Sequence, residues 1–175
     1  GWWIPEPDDL SRTMNLLSST AHKGTAVSPV QVADLIAQAC PAKDYRGKKV
    51  LLIVPDATRT APVGLMFQTL FKQIGAVTAN FDILIALGTH QPMGEAAICD
   101  RLEISPAERA STYRAVRFFN HEWDNPAALR SLGSIPSDEI HRLSGGLFAM
   151  DVPVSINARV FDYDEILIVG PVFPH

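Results

Sequence analysis

Cysteine is scarce in this chain, with two in 175 residues. Cys40 and Cys99 form no C-x-x-C pair and have no ligand cluster nearby, so both are expected to be buried reduced thiols. Long apolar runs are also missing. No stretch approaches the length that spans a bilayer, and the opening Gly1-Trp2-Trp3-Ile4-Pro5-Glu6-Pro7-Asp8-Asp9 lacks the basic start and apolar core of a secretory signal, so a cytoplasmic location is expected. Positive charge is not in excess: 15 Lys and Arg stand against 19 Asp and Glu, a formal net charge of −4. No summed field favours nucleic acid or a membrane surface, although a local basic spot can hold one small anion. There is no Walker loop, G-x-G-x-x-G, G-x-S-x-G or H-E-x-x-H, and a nucleotide-binding Rossmann-type domain ranks last for lack of its glycine fingerprint. Repeats and low-complexity tracts are absent. What remains, 47% hydrophobic and 19% charged, is the composition of one globular domain with a sizeable core.

Three short apolar runs each end on a polar cluster. Val50 to Val54 precede Asp56-Ala57-Thr58-Arg59, Ile83 to Leu87 precede Gly88-Thr89-His90, and Ile166 to Gly170 precede Pro171-Val172-Phe173-Pro174-His175. Runs without apolar/polar alternation read as strands covered on both faces, as in a parallel sheet, where all carboxyl ends share one edge. Ligands bind just outside that edge. The fold class expected is therefore α/β, a mostly parallel sheet with helices on both faces, Rossmann-like in architecture, with Asp56, Arg59, His90 and His175 on one side.

Residues 1–28 read as an arm and 29–175 as the α/β domain. Ser28-Pro29 starts a helix that Pro41 stops, and Ala61-Pro62 opens a second with Gly75 as its end signal. Residues 93–102 and a segment from Ser105-Pro106 are expected to be helical, and Ala115 to Phe119 a fourth strand ending on Asn120-His121-Glu122-Trp123-Asp124. Residues 126–132 and 138–143 read as short helices, Ser144-Gly145-Gly146 as a loop, and Val152 to Ile156 as an edge strand or hairpin arm. The chain ends five residues after a core-type strand, where a crossover helix should follow. It reads as incomplete at its C-terminal end, and the uncovered sheet face would favour self-association, so a homo-oligomer is expected.

Asp56-Ala57-Thr58-Arg59 lies between a strand and a helix, so its amides and the helix N-terminus can face an anion, and Arg59 offers a fork suited to a carboxylate. The plainer alternative has Asp56 and Thr58 capping the next helix and Arg59 paired with a surface acid. His90 follows a glycine where the backbone must turn sharply, a position from which an imidazole can exchange a proton or bind a metal. His175 has the same status. His121 fits no zinc spacing and is expected to make a structural hydrogen bond. His22 and His141 read as surface residues.

Taken together, VPDATR, ALGTHQPM, NHEW and PVSINARVFDYDEILIVGPVFPH resemble the amino-terminal domain of the nickel-dependent lactate racemase family, over residues 44–175. The resemblance implies a two-domain α/β enzyme with a nickel pincer nucleotide between its domains. It matches His90 and His175 to two histidines that exchange the substrate hydroxyl proton from opposite faces. Arg59 matches the arginine that holds the substrate carboxylate, with Asp56 and Thr58 in the same motif. The implied reaction moves the Cα hydride of a small 2-hydroxy acid to the cofactor and returns it to either face.

Two departures matter. Thr60 stands where the family usually has proline, which bears on the substrate pocket. The glycine-rich stretch, the cofactor-tethering lysine and the nickel histidine of the family lie beyond the position of His175. The segment alone is thus expected to be inactive and to hold no metal or cofactor, needing the C-terminal region of the same protein. A competing reading is a small-anion-binding or scaffold domain without catalysis.

Overall fold

The two unbroken apolar runs become neighbouring strands. In the computed structural model, which describes residues 16–172, β1 (Lys49–Pro55) and β2 (Asn80–Ala86) pair in parallel from Lys49 opposite Asn80 to Pro55 opposite Ala86. β3 (Phe118–Asn120) lies outside β2 and β6 (Glu165–Ile168) outside β1, giving the order β3-β2-β1-β6 with every neighbouring pair parallel. The expected parallel α/β sheet is thus present. Central placement explains the composition of β1 and β2, whose Val50, Leu51, Leu52, Ile83 and Ile85 are fully buried. Each such side chain contributes about 1.5–3 kcal/mol by leaving water.

Helices flank this sheet. α1 (Pro29–Ala39) starts where Ser28-Pro29 predicts, with Ser28 and Gln31 satisfying each other's backbone amides in a capping box. α2 (Val63–Leu70) runs into a wider turn over Phe71–Gly75. α3 (Glu95–Arg101) and α4 (Pro106–Ala110) follow, α4 with a second capping box between Ser105 and Glu108. Alternate strand residues Val50, Leu52, Val54, Phe81, Ile83 and Ile85 face one side and form the main core with Ile36, Phe67, Leu70 and Ile98 of α1, α2 and α3. Both cysteines are free and buried, as expected.

The opposite face carries the buried Leu51, Asp82 and Leu84, and a 3₁₀ turn over Ala158–Asp162 reaches β3. Arg159 in that turn lies 3.8 Å over the ring of Phe119. Asp82 is wholly buried yet satisfied: it accepts from the Arg117 amide at 2.8 Å, Arg117 Nη2 at 2.6 Å and Tyr163 Oη at 2.8 Å. Burial, then this hydrogen bond, holds the Tyr163 phenol well above its usual range.

Four local expectations need correction. β3 begins at Phe118 rather than Ala115, because Val116 points into the core and the Arg117 amide is taken by the Asp82 side chain. The helix expected over 126–132 is a 3₁₀ turn at Pro126–Ala128 followed by β4 (Leu129–Ile135). β4 pairs antiparallel with β5 (Val152–Asn157) through an irregularity between Ser131 and Gly133, and this pairing outweighs local helix propensity. α5 (Ser137–Leu143) and the hairpin arm β5 stand where expected. The third apolar run is not covered on both faces. β6 borders only β1 among the described residues, and Ile168 at its end is 76% exposed. Lastly, neither Asp56 nor Thr58 caps α2, whose start at Pro62 has no side-chain cap.

Candidate functional site at the carboxyl edge of the sheet

β1 ends at Pro55 and β2 at Ala86, opposite each other, so the segments that follow leave the sheet side by side. After β1, Asp56 turns the chain on itself. Its Oδ1 accepts from the Thr58 amide at 3.1 Å and from Thr58 Oγ1 at 2.6 Å, and the Arg59 amide reaches the Asp56 carbonyl at 3.4 Å. The Thr58 and Arg59 amides are therefore engaged within the turn, and the expectation that this loop's amides face an anion does not hold for them. After β2, the His90 amide donates to the Leu87 carbonyl at 3.0 Å, closing a turn in which Gly88 has φ +59°. Asn120, at the end of β3, grips the next stretch at two points: its Oδ1 accepts from the Met93 amide at 3.0 Å and its Nδ2 donates to the Met93 carbonyl at 2.9 Å.

These turns bring Asp56 and His90 together. His90 Nδ1 lies 2.5 Å from Asp56 Oδ2, with the carboxylate nearly buried and the imidazole side chain 56% exposed. Burial pushes the Asp56 carboxyl up, but the Thr58 hydroxyl, then His90 and the Thr58 amide, pull it further the other way, so it lies below the ordinary carboxylate range. An ionised Asp56 can only accept, which places a proton on His90 Nδ1 and leaves Nε2 of the neutral ring as a proton acceptor. The pair thus has the geometry of an oriented acid/base.

Arg59 lies at the same edge. It lines a cleft of about 400 Å³ with Ile53, Ala86, Ile168 and the Val169–Pro171 segment. Arg101, on α3, donates to two carbonyls of the same turn, Pro55 O at 3.2 Å and Arg59 O at 2.7 Å. No sequence signal singles it out, since an arginine in a last helical turn is an ordinary dipole partner. Asn120 was visible only as part of a polar cluster.

Among the described residues the other histidines do not join the pair. His121 Nδ1 lies 3.0 Å from Asn157 Nδ2, the structural hydrogen bond expected of it. His22 lies in the segment before α1, and His141 lies on α5. His175 and the tryptophans of the arm fall outside the described residues. Among the described residues no three His, Cys, Asp or Glu side chains gather as metal ligands, and no helix is long and apolar enough to cross a membrane.

A parallel α/β sheet whose carboxyl edge carries a buried carboxylate bonded to an exposed histidine, with an arginine-lined cleft alongside, defines the class of α/β domain seen here. The family is equally specific. The chain matches the lactate racemase N-terminal domain over residues 23–175 and belongs to that family. It is also similar to a crystal structure of a protein from Thermotoga maritima, with 27% identity and a TM-score of 0.68, over 81% of this chain and 33% of that one. The chain therefore spans about a third of the length of that protein. No curated protein matches it significantly.

Proposed function

We propose that this chain is the amino-terminal segment of an enzyme that racemises or epimerises a small 2-hydroxy acid, and that His90 is one of its acid/base groups. The observation that carries this reading is the Asp56–His90 contact at the carboxyl edge. Asp56 fixes the imidazole with Nδ1–H inward, and Nε2 takes the proton of the substrate hydroxyl as that oxygen becomes a carbonyl. The imidazolium so formed is stabilised by the same carboxylate and later returns the proton. Arg59 holds the substrate carboxylate in its fork. One acid/base suffices for one enantiomer only, because the two present their hydroxyls on opposite sides; His175, matched by resemblance to the second histidine, completes the set.

The hydride acceptor that such a reaction needs would be supplied by the nickel pincer cofactor that the resemblance implies for full-length members of the family. Among the described residues no three His, Cys, Asp or Glu side chains gather as nickel ligands, and the contribution proposed for them is proton transfer and carboxylate binding. The test is to offer enantiopure 2-hydroxy acids of graded side-chain length to the full-length, cofactor-loaded protein and follow enantiomer ratios by chiral chromatography. Conversion of one acid toward the racemate is expected. Saturable binding of the acids without conversion of any would instead favour the small-anion-binding alternative.

A further inference from the structure

Two side chains reach the Asp56–Arg59 turn from outside: His90, bonded to Asp56 at its start, and Arg101. Arg101, the last residue of α3, spans its two ends: Nε donates to the Pro55 carbonyl and Nη2 to the Arg59 carbonyl. The first acceptor is the last residue of β1; the second is the residue placed on the substrate carboxylate. The other bonds of the turn are the Asp56–His90 contact at its start and local ones between Asp56 and Thr58 or Arg59, and they leave its outer end, at Arg59, to Arg101. A planar guanidinium fits this task, because its N–H groups diverge at fixed angles and bridge two carbonyls without further ordering. Arg101 also enters no ion pair among the described residues. Its hydrogen bonds there are spent on the loop.

We infer that Arg101 is a positioning residue, which sets where Arg59 stands over the cleft lined by Ile53, Ala86, Ile168 and Gly170 and thereby governs carboxylate binding. This rests on the reading of Arg59 given above. Asp56 depends on Arg101 far less, since it follows β1 directly and is tied to Thr58 and His90 by its own side chain. Loss of Arg101 thus moves substrate affinity more than the proton-transfer step.

The experiment uses the full-length, cofactor-loaded protein with Arg101→Ala, Arg101→Lys and Arg59→Ala. Amide hydrogen exchange at Thr58 and Arg59 should quicken by about tenfold or more in Arg101→Ala, because the two bonds that fasten the turn to α3 are gone and its local bonds open more often. KM for the 2-hydroxy acid should rise about tenfold to a hundredfold, while kcat stays within about threefold. Arg101→Lys, a point donor able to reach one carbonyl at a time, should fall between the two. Unchanged exchange at Thr58 and Arg59 in Arg101→Ala would overturn the inference. Faster exchange with an unchanged KM, when Arg59→Ala does raise KM, would also overturn it and leave the site reading standing. An Arg59→Ala variant with native KM would sink the site reading itself, and the positioning role with it.

Discussion

Asp56 carries the most chemistry per atom in this domain, and its ionisation links the site to stability. Its carboxyl titrates below the ordinary 3.8 because the Thr58 hydroxyl and His90 outweigh the cost of burial. A lowered folded-state value means that the unfolded chain binds the proton more readily. The contribution is therefore complete above the unfolded value, near pH 4, and disappears as pH falls through the lower folded value. Urea denaturation from pH 6 to pH 2 should show this loss in the native protein and a flatter profile in Asp56→Asn. At neutral pH that variant should be about 1–3 kcal/mol less stable, since the Thr58 and His90 donors lose a charged acceptor. Asp56 and His90 were each legible as polar residues after apolar runs. Their contact was not, because nothing local encodes which of two loops, 34 residues apart, turns toward the other. Arg101 was illegible for the same reason: its two acceptors are main-chain carbonyls 46 and 42 residues upstream.

At the scale of elements, the site is a set of turns fixed by neighbouring strand ends. The Leu87–His90 turn requires Gly88 at φ +59°, where an added Cβ would meet no atom within 4 Å and would be strained only by the backbone. Gly88→Ala should therefore cost about 1–2 kcal/mol in thermal or urea unfolding. It should also slow turnover more than its stability loss explains, by tilting His90 away from Asp56. Elements whose identity is written in local chemistry were readable: β1 and β2 in unbroken apolar runs, α1 and α4 in Ser-Pro starts. β4 was not, since Ala127, Ala128 and Leu129 favour a helix and only pairing with β5 makes the segment a strand. The exposed end of β6 escaped notice because an apolar run reports composition, not its distance from the middle of the sheet.

At the scale of the whole molecule, three of the four parallel strands deliver Asp56, Arg59, His90 and Asn120 to one edge, while the buried Asp82–Arg117–Tyr163 cluster lies toward the opposite end of β2. The proposed site and the buried polar cluster are thus separated along the strand direction. The cleft beside β6 opens at the same edge as the proposed site, and the chain spans about a third of the length of the Thermotoga maritima protein. The central claim is that His90, oriented by Asp56, exchanges the substrate hydroxyl proton. Its most direct test is the rate of racemisation of an enantiopure 2-hydroxy acid by full-length, cofactor-loaded protein, native against His90→Ala, with folding checked by circular dichroism. The imidazole is half exposed and packs little, so the fold should survive. The rate should drop by about 10²–10⁴-fold, the usual worth of a positioned acid/base. Racemisation at the native rate by a folded His90→Ala protein would contradict the account.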